Sequence, residues 1–186
     1  MNWISTVEDL GRILAGLVFT DGAGETIDVD DAFARLIEQT SALRTGRGSA
    51  FFVGNGASAT MASHYAADLA KNGGIRAEVF TDPALLTAYS NDLDYESAFA
   101  ESIRLRACPG DMLIAISSSG QSPNILNAAR AARERELTVV TLSGMDRDNE
   151  LRKLGDLNAY VAASTYSRAE TSHTAVLHHW LDNLVI

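Results

Sequence analysis

A run of six residues, 117–122, contains four serines and a glycine in the order Ser-Ser-Ser-Gly-Gln-Ser, directly after the apolar segment 112–116. Pro123 follows, and a proline behind a serine cap is a common start of an α-helix. The start of a helix presents free backbone N–H groups and the positive end of the helix dipole, and serine hydroxyls add uncharged donors. The run therefore predicts a phosphate site, with a plain serine-capped turn as the alternative.

A second loop of small residues, Gly54-Asn55-Gly56-Ala57-Ser58, follows the apolar segment 50–53. Small residues let the backbone approach a ligand, and we expect a helix capped near Ser58. The third glycine of a dinucleotide-binding fingerprint is absent, and no charged residue suited to a ribose follows the next apolar run before Asp82. We therefore expect no nucleotide cofactor, and a tight turn required for packing is the alternative reading of this loop.

Histidines and carboxylates form two pairs at helical spacing. His64 and Asp68 are four residues apart, so their side chains share one helix face, whereas Glu170 and His178 are eight apart, about 80° around a helix. An imidazole beside a carboxylate can transfer protons at neutral pH, and two such pairs also suit zinc. The alternative is a surface ion pair at 64 and 68, with the C-terminal histidines at an interface or as capping residues.

The elements that would position these groups follow from the apolar pattern. Helical spacing at 5–19 and 28–43, with an acidic loop at 20–27, predicts an N-terminal helical hairpin. Short apolar runs then alternate with helical stretches, which predicts a doubly wound α/β sheet of five parallel strands. The predicted strands are 50–53, 77–80, 112–116, 138–142 and 159–162, and the predicted helices are 57–71, 83–89, 94–106, 122–135, 147–154 and 168–184. Asn91-Asp92 is read as a possible helix start.

Composition limits the setting and the partners. The length of 186 residues fits one domain, with a hairpin over 1–45 and an α/β core over 46–186. A net charge of −9 disfavours nucleic acid and anionic membranes, although a helix start can still bind a small phosphate. Cys108 is the single cysteine, no apolar run reaches membrane-spanning length, and the start lacks the pattern of a signal peptide. These features predict a soluble cytoplasmic protein.

Four motifs together resemble the sugar-isomerase (SIS) domain family, and within it the phosphoheptose isomerases. They occur in family order over nearly the whole chain: Gly54-Asn55-Gly56-Ala57-Ser58, Ser90-Asn91-Asp92, the run 115–122, and Arg168-Ala169-Glu170-Thr171-Ser172-His173 through His178. The resemblance implies a flavodoxin-like sheet, a hairpin used in assembly, and a homotetramer with active sites between subunits. It also implies a function in heptose biosynthesis.

The resemblance further implies roles for particular residues. Asp68 and His178 fall on the positions of the catalytic base and the catalytic histidine, which interconvert ketose and aldose through an enediol. The implied phosphate ligands are Ser117, Ser118, Ser119 and Ser122, and the implied contacts to the rest of the sugar are Asn55, Ser58, Asp92 and Glu170. Some family members hold one zinc ion per site, and the matching positions here are His64, Asp68, Glu170 and His178.

Three positions depart from the family pattern. Asp68 replaces a glutamate, Glu170 replaces a glutamine, and Ser167 stands where family enzymes tend to carry an acidic residue. Aspartate is one methylene shorter, and a displacement of about 1 Å at a reacting group can cost roughly 100-fold in rate. Two hypotheses follow: an isomerase that converts sedoheptulose 7-phosphate to glycero-manno-heptose 7-phosphate, or a non-catalytic SIS module that binds a phosphosugar or a replication-initiator regulator.

Overall fold

A computed structural model describes residues 2–185, which form a seven-stranded sheet covered by helices on both faces. The strands are β1 Val18–Asp21, β2 Thr26–Ile27, β3 Ser49–Gly54, β4 Arg76–Val79, β5 Met112–Ser117, β6 Thr138–Gly144 and β7 Leu157–Val161. The helices are α1 Trp3–Ala15, α2 Val29–Gly46, α3 Ala57–Lys71, α4 Pro83–Asp92, α5 Ala98–Arg106, α6 Pro123–Glu134 and α7 Tyr166–Val185. The α/β class predicted from the sequence is confirmed.

The sheet has the order β2-β1-β7-β6-β5-β3-β4. Its five strands from β7 to β4 are parallel and are the five that the sequence predicts. Gly54 on β3 lies opposite Ile116 on β5, and Ser117 lies opposite Ser143 on β6. This register brings the loops that follow β3 and β5 to the same edge of the sheet, where ligands bind in open α/β proteins.

The predicted N-terminal helical hairpin is wrong in one respect, because a β-hairpin separates its two helices. Helix α1 ends before Gly16, and β1 pairs antiparallel with both β2 and β7. Phe19 is buried and packs edge-on against Phe33 of α2, with ring centroids 5.1 Å apart. The Asp21 carboxylate closes the turn by accepting the backbone N–H groups of Ala23 and Glu25. Aromatic and β-branched residues at 18–20 favour strand β1. The β1–β2 hairpin raises the strand count from five to seven.

Two other local predictions also change. The helix predicted over 147–154 is a short 3₁₀ turn, Glu150–Lys153, and Asn91-Asp92 ends α4 where we expected a helix start. Asn149 explains the first difference, since its side chain caps the turn by accepting the backbone N–H of Arg152.

Four of the parallel strands, β3, β5, β6 and β7, are buried on both faces and separate two main cores, whereas the edge strand β4 is partly exposed. Phe52 and Ile114 face the core under α2, α3 and α7, whereas Phe51 and Leu113 face the core under α5 and α6. This alternation is the two-residue period of a strand, and it places α3 and α7 on the same side of the sheet. Within residues 2–185, every helix is too short or too polar to span a bilayer.

Candidate active site

The loops after β3 and β5 form a cleft of about 300 Å³ together with the start of α7, and we call it the serine cleft. Its lining residues are Asn55, Gly56, Ala57, Ser58, Ile116, Ser117, Ser118, Ser119, Ser122, Tyr166 and Glu170. All four serines of the 117–122 run therefore line one cavity with Asn55, Ser58 and Glu170. The structure brings together seven of the residues that the sequence singles out.

The serine loop is held by its own hydrogen bonds and leaves donors free. Gly120 adopts a left-handed conformation, with φ of 64°, and a Cβ there would collide with the side chain of Asn149. Ser117 Oγ donates to Ser122 Oγ at 3.2 Å. Ser122 occupies the N-cap of α6, but its side chain accepts no backbone N–H, so the predicted serine cap is present in position only. Pro123 has no N–H, and the N–H groups of Ile125 and Leu126 already donate to the Ser122 carbonyl. In the described part of α6, the first turn therefore offers the backbone N–H of Asn124 to an anion.

The loop after β3 is shaped by two glycines. A Cβ on Gly54 would lie 2.5 Å from the backbone carbonyl of Ser58, so only glycine lets the first turn of α3 pack this closely on the strand. Gly56, with φ of 53°, is the N-cap of α3, and the helix begins at Ala57. The expected cap at Ser58 is therefore wrong, and Ser58 lies in the first helical turn with its side chain against the cleft.

A polar network that sequence reasoning missed fixes the side chain of Asn55. Its amide exchanges two hydrogen bonds with Asn124, at 2.9 and 2.8 Å, and its Oδ1 also accepts from the Tyr95 hydroxyl at 2.8 Å. Asn55 therefore keeps one N–H to offer to a ligand. An amide at the second position of α6, next to the serine loop, is a signal that could have identified Asn124, whereas nothing local marks Tyr95.

The imidazole and carboxylate predicted for proton transfer lie on one surface of α3 and α7. His64 Nε2 is 3.3 Å from Asp68 Oδ2, and the rings of His64 and His178 have centroids 6.0 Å apart. His178 is exposed, and the Asp68 side chain is 31% exposed. We call His64, Asp68 and His178 the histidine face. Two helices distant in the chain thus bring these side chains together, although within one chain none of the three lines the serine cleft.

Tyr65 lies buried behind the histidine face. Its ring packs edge-on against both His64 and His178, with centroids 5.0 Å away in each case. Its hydroxyl donates to the backbone carbonyl of Thr174 at 2.9 Å and so joins α3 to α7. Burial raises the pKa of Tyr65 to about 12, so the hydroxyl stays protonated and remains a donor at neutral pH.

The four predicted metal ligands do not gather within one chain. Glu170 lines the serine cleft, whereas His178, eight residues further along α7, is displaced by about 12 Å along the helix axis. Among residues 2–185, no group of three or more His, Cys, Asp or Glu side chains is close enough to hold a metal ion. Glu170 and His178 are only about 80° apart around α7, but their separation along the helix axis keeps them apart. Zinc binding at these four residues stays a prediction, because within one chain Glu170 lies apart from the other three.

The remaining predicted site residue and the other histidines have separate positions. Asp92 is exposed at the end of α4, accepts a hydrogen bond from Asn91, and does not line the serine cleft. His173 is fully buried, and burial lowers its pKa to about 4 against a smaller opposing effect of the Ser143 backbone. His179 packs edge-on against Phe33 at 4.5 Å. Two of the four histidines therefore have packing environments away from the histidine face.

A doubly wound sheet with hydroxyl-bearing loops at its carboxyl edge defines an α/β protein suited to binding a phosphorylated ligand. Residues 17–144 match the model of the SIS domain family. The chain is 35% identical over 159 residues to a phosphoheptose isomerase from Azoarcus sp. (strain BH72), an alignment that covers 81% of each chain. The chain therefore belongs to the SIS domain family, and the resemblance predicted from its motifs is confirmed.

Solved structures agree with this assignment. A phosphoheptose isomerase from Neisseria gonorrhoeae superposes with a TM-score of 0.77 at 29% identity, covering 83% of this chain and 86% of that one. A phosphoheptose isomerase from Francisella tularensis superposes with a TM-score of 0.83 at 22% identity, covering 99% and 98%. The second likeness shows that the same fold extends over the N-terminal helices.

Proposed function

We propose that the chain is an aldose–ketose isomerase of phosphorylated sugars, with sedoheptulose 7-phosphate as substrate and glycero-manno-heptose 7-phosphate as product. The observation that carries this proposal is the serine cleft, in which four hydroxyls and the start of α6 surround one cavity. The relatives named above are phosphoheptose isomerases, which supports the choice of a seven-carbon sugar.

The serine cleft would bind the phosphate through neutral donors. The backbone N–H of Asn124 and the helix dipole at the start of α6 favour an anion. Ser119 and Ser122 add hydroxyl donors, because the Ser117 hydroxyl donates to Ser122. Ser118 Oγ is buried without a hydrogen-bond partner in the part of the chain described. A buried hydroxyl without a partner costs free energy, and a ligand oxygen that accepts its hydrogen bond would remove that cost. Asn55, held by Asn124 and Tyr95, would contact the sugar with its remaining N–H.

The histidine face would move the protons. Asp68 would remove a proton from the carbon next to the carbonyl, while His178 donates a proton to the carbonyl oxygen, which gives the enediol. Removal of the proton from the other hydroxyl and return of a proton to the neighbouring carbon complete the exchange of ketose and aldose. His64, whose Nε2 lies 3.3 Å from Asp68 Oδ2, would orient that carboxylate. Retention of titratable groups at both positions favours an enzyme over a binding module.

A shared site between protomers would bring these two regions together. Ser58 in the serine cleft and His64 on the histidine face are six residues apart on α3, about 9 Å along its axis. His178 and Glu170 are separated in the same direction. A homo-oligomer, proposed here as a tetramer, could place the histidine face of one protomer against the serine cleft of another. Three large apolar side chains exposed on α1 suit such an assembly: Trp3, Ile4 and Val7.

The direct test is turnover of sedoheptulose 7-phosphate by the purified protein, assayed with and without added zinc. We expect interconversion and exchange of the transferred hydrogen with solvent, and we expect Asp68→Ala to abolish both while phosphosugar binding persists. Binding without turnover, together with an Asp68→Ala variant that behaves like the wild type, would contradict the enzyme proposal. That result would instead indicate a phosphosugar-binding regulator.

A further inference from the structure

A second cleft, of about 360 Å³, lies between the β1–β2 hairpin and the segment 147–153. We call it the basic cleft, because three cationic side chains line it: Arg147, Arg152 and Lys153. It shares no lining residue with the serine cleft. Its other wall is the β1–β2 hairpin, which the sequence did not predict. The small residues at 22–24 of this hairpin leave the space open.

The charges in the basic cleft are only partly compensated. Lys153 forms an ion pair with Glu150 at 2.6 Å, and Asp148 also lines the cleft. Within residues 2–185, neither Arg147 nor Arg152 has a carboxylate oxygen within 4.0 Å. In a chain with a net charge of −9, this cleft thus holds two arginines outside any ion pair, although Asp146 and Asp148 lie close enough to interact with Lys153.

Arg152 is held in one place although it lacks an ionic partner. Its Nη1 donates to the backbone carbonyl of Arg147 at 2.6 Å, and its guanidinium carbon lies 4.5 Å from the centre of the Tyr160 ring. Its Nε is buried and makes no hydrogen bond in the part of the chain described. Burial lowers the pKa of Arg152, yet an arginine stays charged at neutral pH. A half-buried charge without a counter-ion is costly, and a bound anion would offset that cost.

We propose that the basic cleft is a second anion site, which binds the phosphate group of a small metabolite through residues other than those of the serine cleft. Arginine suits this role because its guanidinium group matches the geometry of phosphate oxygens. Thr20 and Thr26 on the hairpin supply neutral hydroxyls beside the arginines. The cleft volume of about 360 Å³ lies near the lower limit for small-molecule sites. A phosphate monoester fits this volume better than a dinucleotide does.

The basic cleft is also connected to the serine loop. Leu151 donates its backbone N–H to the carbonyl of Gly120, and Gly144 donates to the carbonyl of Ser118. Asn149, which lines the basic cleft, packs against Gly120 and donates to Ser143 Oγ and to the Asp146 carbonyl. A ligand that orders the segment 147–153 therefore acts on residues that also hold the phosphate loop of the serine cleft.

The test is an NMR titration of the isotopically labelled full chain with inorganic phosphate, followed by displacement with a phosphate monoester such as glycerol 3-phosphate. We expect the amides of Gly22, Gly24 and Lys153 to shift on binding, separately from those of Ser119 and Gln121. The double variant Arg147→Gln/Arg152→Gln should weaken the first response about 100-fold, since each charge-assisted contact contributes about tenfold, and leave the second in place. Displacement by the monoester would identify a phosphorylated metabolite as the ligand, and its failure would identify free phosphate.

Two further variants keep the test decisive. Arg130→Gln removes the same charge from the exposed surface of α6 and should leave both responses unchanged. If the double variant does not fold, Arg147→Gln alone removes an exposed side chain and should still weaken the response of the hairpin amides about tenfold. Unshifted hairpin amides in the wild type, or equal shifts in the folded variant, would overturn the second site. If the amide of Ser119 does not shift in the wild type, that result would contradict the phosphate site of the proposed function and would leave the second anion site untouched.

Discussion

The serine cleft and the histidine face hold their polar groups in different ways. In the serine cleft, neutral hydroxyls and amides are fixed by backbone turns, by Gly54 and Gly120, and by the hydrogen bonds between Asn55 and Asn124. On the histidine face, titratable side chains project from two helices into solvent, and the His64 side chain is 57% exposed. Under the proposed function, the first region would bind the phosphate through hydroxyl and amide donors, and the second would exchange protons.

This difference separates binding from chemistry within one fold. A preorganised cleft of hydroxyl and amide donors needs little reorganisation on binding, whereas a proton-transfer group must remain accessible to the reacting atoms. Tyr65 and α7 connect the two regions, because Tyr65 fixes the histidine face and Glu170 on α7 lines the serine cleft. Variants in the two regions should therefore change different kinetic constants.

The largest effect is expected from His178→Ala. Loss of a general acid–base group should lower kcat about 1,000-fold, while the dissociation constant of sedoheptulose 7-phosphate changes little. Initial rates and equilibrium binding measured on the same preparation check this. His179→Ala is the matched control, since the neighbouring histidine packs on Phe33 and should leave kcat unchanged. Equal losses in both variants would contradict the role of the histidine face.

The double variant Ser119→Ala/Ser122→Ala should have the opposite signature. Each hydroxyl that donates to the phosphate contributes about tenfold, so the dissociation constant of the sugar phosphate should rise about 100-fold with a smaller change in kcat. Calorimetric binding and steady-state kinetics distinguish the two effects. Ser41→Ala on α2, distant from both regions, should bind as the wild type does. A decrease in kcat without a change in the dissociation constant would contradict the proposal that the serine cleft serves binding and the histidine face serves chemistry.

His173 provides a test by pH, because its buried position contrasts with the exposed histidine face. Between pH 6.5 and about 4 the unfolded chain binds a proton at this residue and the folded chain does not, so acidification favours unfolding. From pH 7 to pH 5 this residue should cost roughly 2 kcal/mol of the free energy of unfolding. Urea unfolding of the wild type and of His173→Gln at both pH values measures the difference. An identical pH dependence in the two proteins would contradict the assignment.

The smallest effect is expected from Tyr65→Phe. This change removes the hydrogen bond to the Thr174 carbonyl and should lower the free energy of unfolding by about 1 kcal/mol. The lost hydrogen bond joins α3 to α7 and helps to hold the Tyr65 ring, which packs on His178. We therefore expect kcat to fall by a few fold without a change in binding. Tyr89→Phe on α4 is the control for loss of a phenol hydroxyl. A change in binding alone would show that Tyr65 does not act through the histidine face.

Local signals predicted the parallel sheet and the serine loop correctly. Apolar runs buried on both faces identify parallel strands, and serines before Pro123 identify the start of α6. The hairpin at 18–27 was missed because Leu17 and Val18 continue the helical spacing of α1, while the strand depends on pairing with β7, 136 or more residues away in the chain. Tyr95 reaches Asn55 only through the tertiary fold, so no spacing rule could identify it.

The histidine face illustrates both the success and the limit of spacing rules. His64 and Asp68 meet because residues four apart share a helix face, and their approach to His178 follows from packing α3 against α7. Glu170 does not join them, since an angular match over eight residues still leaves two helical turns of axial distance. Contacts between helices depend on the packed core, which the sequence pattern does not specify in detail.

Complementation between two damaged variants tests the shared site most directly. The variants Ser119→Ala/Ser122→Ala and His178→Ala are co-expressed and assayed below substrate saturation. They should form mixed oligomers in which about a quarter of the sites combine an intact serine cleft with an intact histidine face. We predict activity well above the sum of the two variants measured alone. Activity equal to that sum, in oligomers shown to be mixed, would contradict a site shared between protomers.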